Sequence, residues 1–475
     1  MSRLRTIRRA VALIAAGTAA LSAASAFAAP SDFAITNATV VLGDGSAPIP
    51  GGTVVVRGGK VVAAGAGVAV PAGVSVIDGS GKWVSPGMVV PVTDLGLLDV
   101  GAVENSNDSG ARKSPYSAAL DVSAAIDPEA QPIRVSRTGG VTRAAVAPSA
   151  ETSIFAGQGA YIDLAASGNT VDRPRAFQYV ELGERGGRLA GGSRISAQAI
   201  LHNALREAGD FARRAGPAPA GGRRGTATVG TEQPGSPNSL RPENLRLAES
   251  DAARGTDVQL TRADAAALVQ VVSGAQPLFV HVERMADLRQ TLALKREFPA
   301  LRLVIVGAAE GWRVADELAA AHVPVIASGI TDLPGAFETM AATQSNIGRM
   351  VRAGVRVAIG NMFDNDQPRY ARQYAGNLVA LTRLPGATGL TWGQAFAAIS
   401  SVPADIMGEG AHFGSLLPGR AADVVVWDGD PLELGSGVMR VYIDGIEQPL
   451  DNHQTRLRTR YRHPQEGALP KAYEW

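Results

Sequence analysis

The stretch VSPGMVVPVTDLGLLDV, Val84 to Val100, marks the point where one architecture gives way to another. Before it, from Phe33 onward, short β-rich runs are separated by turn signals such as Gly43-Asp44-Gly45 and Gly58-Gly59. Strands this short and this closely spaced are typical of a small sandwich or barrel sheet. A unit of that size buries too little surface to be stable alone, so the sequence predicts a second part that completes it.

The second part lies near the other end of the chain. Residues Phe413 to Ile446 again contain strand runs, DVVVW and MRVYI, placed around Gly and Asp-Gly turns. We therefore predict a small composite β-sandwich domain, built from residues 29–86 and 411–475, that encloses everything between them.

Residues 87–410 alternate between two kinds of pattern. Apolar runs such as PLFVHV (277–282) and LRLVIVG (301–307) predict buried strands, and amphipathic segments such as WRVADELAAAH predict helices. This alternation is typical of the α/β class, with a parallel sheet covered by helices. Over so long a segment it favours a TIM-like (β/α)8 barrel over a doubly wound sheet. No Gly-rich phosphate fingerprint follows a strand, which argues against nucleotide binding.

Two segments stand apart from these domains. Residues 1–28 combine a basic start, an apolar run and Ala26-Phe27-Ala28, which predicts a secretory signal peptide and a periplasmic protein without a membrane anchor after cleavage. A Sec-type signal fits best, and Arg8-Arg9 leaves the twin-arginine route open. Residues from about 213 to 245 are rich in Gly, Pro, Arg and Ser, which predicts a flexible surface insertion.

Charge and cysteine content exclude several classes of function. The net charge of the 475-residue chain is +1, so no global field recruits nucleic acid or an anionic membrane. The chain has no Cys, which excludes disulfides, a thiol nucleophile and thiolate metal sites. Any metal must therefore be held by nitrogen and oxygen ligands.

Several motifs together resemble the amidohydrolase superfamily, closest to its imidazolonepropionase-like branch. They are ITNATVVLGDG, GGTVVVRGGKVVAAG, VIDGSGKWVSPGM, GVTRAAVAP, AGQGAYIDL and GSLLPGRAADVVVWDGDPLE. The resemblance implies a metal-dependent TIM-like barrel with a composite β-sandwich, which hydrolyses C–N and related bonds.

The resemblance also implies where metal ligands belong, and this chain departs from that pattern. Counting from Pro86-Gly87, the two first-strand His positions fall on Val92 and Asp94. The bridging fourth-strand Lys has no candidate. The fifth-strand His corresponds to His281, and the sixth-strand His position falls among Gly307, Ala308 and Glu310. We therefore predict a degenerate metal site.

The eighth strand normally carries an Asp, and here Asn361 and Met362 lie near that position, with Asp364 slightly beyond. The predicted metal ligands are His281 and Asp94, holding one divalent metal (Zn or Mn) or none. The predicted catalytic residues are Asp364 and Glu310. Three residues after the eighth strand are predicted to contact a substrate carboxylate: Arg369, Tyr370 and Arg372.

Two functions remain open on the sequence. One is an exported hydrolase of C–N bonds in small or peptide-like molecules. The alternative is a catalytically inactive barrel that binds a ligand or serves as the partner subunit of an active amidohydrolase. The expected partners are a small-molecule or short peptide-like ligand and either a second copy of the chain or an active paralogue, with no nucleic acid.

Overall fold

The computed structural model describes residues 30–215, 259–362 and 367–462. Three predictions fall outside these residues: the signal peptide at 1–28, most of the insertion at 213–245, and the catalytic role of Asp364. Within the described ranges, no helix is both long and apolar enough to cross a membrane.

A composite sheet joins the two ends of the chain, as predicted. Strand β5 pairs antiparallel with β14, so that Val84 lies opposite Val426. The strand order is β16-β15-β14-β5-β1-β2-β3, with β4 beside β1. Its strands are β1 (Phe33–Val40), β2 (Ile49–Arg57), β3 (Lys60–Gly65), β4 (Ser75–Asp78), β5 (Trp83–Pro86), β14 (Val424–Trp427), β15 (Val438–Ile443) and β16 (Ile446–Glu447).

The second sheet is the predicted barrel. Its eight strands neighbour one another in sequence order, and a parallel bridge between Thr93 and Met362 brings the first strand to the last. The strands are β6 (Met88–Thr93), β7 (Val141–Val146), β8 (Phe155–Asp163), β9 (Val171–Glu181), β10 (Leu278–Val282), β11 (Leu303–Gly307), β12 (Val325–Ala327) and β13 (Val357–Ile359).

Helices connect most of the barrel strands and cover the sheet. They are α1 (Gln131–Thr138), α2 (Gly183–Leu189), α3 (Arg194–Ala215), α4 (Arg262–Val272), α5 (Met285–Glu297), α6 (Ala315–Ala320), α7 (Asn346–Arg352), α8 (Ala371–Ala380), α9 (Trp392–Ala397), α10 (Ser401–Met407) and α11 (His453–Arg462). Several begin at side-chain caps; at α4, for example, Thr261 accepts from the Asp264 N–H. The helices hold the strand ends in fixed positions.

The expectation of an all-parallel barrel is wrong at β8. This strand runs antiparallel to both β7 and β9. The described chain has no helix between β7 and β8, and so short a connection returns the chain alongside the strand it left. Consequently β8 begins at the end of the barrel where β7 and β9 finish.

Aromatic side chains fill the inside of the barrel. The rings of Phe177 and Phe279 stack with centroids 4.2 Å apart, and Tyr161 stacks on Phe177 at 5.8 Å. All three are at most 2% exposed. Burying one such side chain stabilises the fold by about 1.5–3 kcal/mol, so this stack is a large part of the barrel core.

A buried ion cluster fastens the barrel to the composite sheet. The Arg143 guanidinium on β7 donates to Asp423 at 2.8 Å, to Asp444 at 2.8 Å and to Asp172 at 2.8 Å. Asp423 and Asp444 belong to the composite domain, and Asp423 is 2% exposed. Burial raises the pKa of nearby Asp163 to about 7, with repulsion from Asp172 adding to the shift.

This cluster predicts that Asp163→Asn changes how stability depends on pH. Folded Asp163 holds a proton up to about pH 7, whereas the unfolded side chain loses it near 3.8. The stability contributed by that proton is therefore lost as pH rises through the folded pKa. Urea unfolding should show the variant more stable than wild type at about pH 8, on the order of a few kcal/mol, with little difference at about pH 4. A constant difference across that range would contradict the assignment.

Candidate active site

The carboxyl ends of strands β9 and β10 bring three titratable side chains together. Strand β9 ends on Glu181, which lies in register with His281 on β10. Glu283 follows β10 directly. Catalytic residues of such barrels come from the carboxyl ends of several strands, so this cluster lies where chemistry is expected.

His281 is held between the two carboxylates. Its Nδ1 lies 2.7 Å from Glu181 Oε1, and its Nε2 lies 3.1 Å from Glu283 Oε1. The side chains are 19%, 9% and 14% exposed for His281, Glu181 and Glu283. The cluster is thus largely shielded from water but still reached from the barrel mouth.

This arrangement favours the imidazolium form of His281. Burial alone would lower the pKa of His281, but attraction and hydrogen bonds from Glu181 and Glu283 outweigh it and raise the pKa well above its ordinary value. A histidine with so perturbed a pKa at a strand end is a candidate for a functional group.

Backbone groups hold Glu283 in place. Its Oε2 accepts a hydrogen bond of 2.7 Å from the Ala309 amide. Gly307 has a φ of +92°, and a Cβ there would lie 2.5 Å from Glu283 Oε1. The glycine therefore leaves the space in which the Glu283 carboxylate meets His281.

A second carboxylate pair supports this side of the mouth. Glu338, in the segment after β12, accepts from the Glu184 amide at 2.6 Å and from Arg194 Nη2 at 3.2 Å. The Glu338 amide in turn donates to Glu184 Oε1 at 2.9 Å. Burial raises the pKa of Glu338, and attraction to His281 opposes that rise. These contacts connect the segment that follows β12 to helices α2 and α3.

A small cavity opens beside Glu283. Its volume is about 50 Å³, and its wall includes Ser328, Thr331 and Asn346. Next to it, Asn361 donates to Ser328 Oγ at 3.0 Å, while Asn361 Oδ1 is buried with no hydrogen-bond partner among the described residues. The cavity has room for a water-sized group next to the cluster.

Three residues at strand ends of the same barrel mouth have a strained, left-handed backbone conformation. Val92 has a φ of +63°, Ala308 of +57° and Asn361 of +59°. Valine rarely adopts this region, because its branched Cβ crowds the backbone. Such strain concentrates at functional sites, where the surrounding structure holds it.

The predicted site residues are scattered more widely than the sequence suggested. Asp94 is buried, 7% exposed, just beyond the end of β6. Glu310 accepts from the Met285 amide at 3.0 Å and from the Ala341 amide at 3.1 Å, so its carboxylate joins two loops. Their metal-binding and catalytic roles stay predictions.

The three residues predicted to contact a substrate carboxylate lie in a different cavity. Its volume is about 290 Å³, and its wall includes Arg369, Tyr370 and Arg372 together with Thr138 and Leu434. Arg372 Nη1 donates to the Pro431 and Glu433 carbonyls. None of the three lines the cavity beside Glu283, so a contact with the same substrate stays a prediction.

Comparison with known proteins agrees with the motifs. A profile of the Amidohydrolase family matches residues 243–445. A 60-residue stretch is 43% identical to amidohydrolase tasK of Hapsidospora irregularis, covering 13% of this chain but only 6% of that protein. The fold matches the crystal structure of an amidohydrolase from Thermotoga maritima MSB8, with a TM-score of 0.70, 22% identity, and 87% and 99% of the two chains covered.

The chain is thus similar to the amidohydrolase superfamily in sequence over residues 243–445 and in fold over most of its length. Members of this superfamily typically use a divalent metal. At the positions where the resemblance implies metal ligands, the chain has Val92 and Asp94 after the first strand and Gly307, Ala308 and Glu310 after the sixth, so a degenerate metal site stays a prediction. Both ring nitrogens of His281 face carboxylates, Glu181 at Nδ1 and Glu283 at Nε2.

Two residues of this site, Glu181 and Glu283, were not predicted from the sequence. The fourth barrel strand ends on Glu181, where the resemblance led us to look only for a lysine. Glu283 lies two residues after His281 and was overlooked, although PLFVHVER places it directly after the strand. The signal that could have found both is an acidic residue directly at, or directly after, the end of a buried strand.

Proposed function

We propose that this chain hydrolyses C–N bonds of small or short peptide-like molecules at the barrel mouth. The observation that carries the proposal is the imidazole of His281 held between Glu181 and Glu283 at the carboxyl ends of two barrel strands. The similarity to the Amidohydrolase family supports hydrolysis of C–N bonds, and the position of the cluster at the carboxyl ends of barrel strands supports the barrel mouth as the place of reaction.

In this proposal the cluster supplies a proton. Water supplies the hydroxyl group that forms the new C–O bond as the C–N bond breaks, and the leaving amine gains a proton from His281, which regains one from that water. Glu181 orients the ring through Nδ1 and stabilises the positive charge, as a carboxylate does for a catalytic histidine. Glu283, fixed by the Ala309 amide, accepts from Nε2 until a substrate takes its place.

The second candidate function is an inactive barrel that binds a ligand or pairs with an active relative. The residues that favour it are Val92, at one of the two first-strand positions, and Gly307 and Ala308, near the sixth-strand position, since none of these side chains can bind a metal. A barrel of this kind would keep the mouth cavity and lose the reaction.

Measurements of turnover and metal content of the purified protein distinguish the proposed hydrolase from the inactive barrel. We expect release of amine or acid from at least one probe among N-acetyl amino acids, dipeptides and the cyclic amide dihydrouracil, with no more than one zinc or manganese ion per chain. No hydrolysis of any probe, with or without added zinc and manganese, would favour the inactive barrel. Two bound metals per chain would contradict the site described here.

A further inference from the structure

A third cavity lies at the opposite end of the barrel from the mouth, against the composite domain. Its volume is about 270 Å³. Its wall includes Tyr161, Asp172, Glu409, Phe413 and Asp444. None of these residues belongs to the mouth cluster, so a ligand here would bind apart from the proposed reaction.

The wall of this cavity contains a polar group that lacks a hydrogen-bond partner among the described residues, the Tyr161 hydroxyl. The Tyr161 side chain is 2% exposed. Stacking on Phe177 holds the ring in place, so the hydroxyl cannot turn away to find one. A buried hydroxyl without a partner destabilises the fold, and a ligand that donates to it removes that penalty.

The charge around the cavity is negative on one side. The Arg143 guanidinium contacts three carboxylates, of which Asp172 and Asp444 line the cavity and keep 34% and 53% of their side chains exposed. Burial raises the pKa of both, and repulsion from Asp423 adds to the rise. Asp172 and Asp444 thus share the Arg143 guanidinium with the buried Asp423, so three carboxylates face one cation.

Elsewhere in the cavity wall the charges are balanced, and part of the wall is apolar. Arg173 pairs with Glu409 at 3.1 Å, and His412 Nδ1 lies 2.6 Å from the other Glu409 oxygen. The Phe413 ring forms a flat wall, with the Arg143 guanidinium 5.2 Å from its centroid. The space is below the usual range for drug-sized ligands, which limits an occupant to a small molecule.

We propose that this cavity binds a small organic cation, a primary ammonium or guanidinium on a short apolar stem. The cationic group lies towards Asp172 and Asp444 and donates a hydrogen bond to the Tyr161 hydroxyl. The stem packs on the Phe413 ring. A carboxylate ligand is disfavoured because it would meet Asp172 and Asp444.

Calorimetric titration of the whole chain with n-butylammonium tests this proposal. We expect saturable binding at one site, and no saturable binding of n-butanol or butyrate. Tyr161→Phe keeps the ring and removes the acceptor, so it should weaken binding about tenfold. Asp444→Asn should weaken it at least as much, and asparagine tolerates the φ of +51° at that position.

Asp451→Asn is the matched control, because Asp451 is an exposed carboxylate paired with Arg456 outside the cavity. It should bind n-butylammonium as wild type does. Three results would overturn the proposal: no saturable binding of n-butylammonium by folded wild type, equal or tighter binding of butyrate, or unchanged affinity in Tyr161→Phe. Since Tyr161→Phe alone decides the last of these, the test stands even if Asp444→Asn does not fold.

Discussion

Glu181→Gln is expected to lower turnover by about a hundredfold or more and to shift its pH dependence. The substitution removes the larger of the two attractions that raise the pKa of His281. A proton-donating His281 loses activity as pH rises through its folded pKa. In the variant that pKa falls, so the loss of kcat should begin at a lower pH than in wild type.

Glu297→Gln provides the matched control for this variant. Glu297 also pairs with a histidine, His202 Nδ1, at 2.8 Å, but on the outer surface of the barrel. It should leave kcat and its pH profile unchanged. Equal losses in both variants, or a loss in Glu181→Gln without any shift in pH dependence, would argue against a proton held by His281.

Arg143→Met is expected to lower the free energy of unfolding by about 3–5 kcal/mol. The variant leaves Asp423 buried at 2% exposure without its cation, beside Asp172 and Asp444. The barrel and the composite domain share this cluster, so urea unfolding at neutral pH should show the loss in the whole chain. Part of the stability should return at lower pH, where the carboxylates become neutral.

Arg289→Met controls for the loss of an arginine from the barrel. Arg289 pairs with Glu317 on the surface, where the two side chains are 48% and 45% exposed. Solvent screens such a pair, so its removal should change stability little. If Arg143→Met were as stable as Arg289→Met, the cluster would not fasten the two parts of the molecule.

The fold was predictable where the pattern is local. Runs such as PLFVHV are continuously apolar, as buried strands are, and a composite domain was expected from two β-rich ends that each need a partner; the pairing of β5 with β14 came only from the structure. The direction of β8 was not predictable in the same way. Its glycine-rich segment, Phe155–Asp163, entered the sequence analysis only as part of a family motif, and nothing in it indicates the direction of the strand relative to its neighbours.

The candidate site was predictable only in part, because its members are far apart in sequence. His281 was placed correctly at a strand end, yet its partner Glu181 lies 100 residues away. Strand β9 begins with the polar residues VDRPR, which hides the buried end that carries Glu181. Arg143 and Asp444 meet across 301 residues, and no local pattern records that contact.

Turnover of His281→Ala, measured beside wild type and His453→Ala on the same amide probes, tests the central claim most directly. His453 lies on the exposed α11, and its Nδ1 contacts Gln131 at 3.1 Å, outside the cluster of Glu181, His281 and Glu283. The proposed role of His281 predicts a loss of about 10²- to 10⁴-fold in kcat for His281→Ala and wild-type turnover for His453→Ala. Wild-type turnover in folded His281→Ala would contradict it.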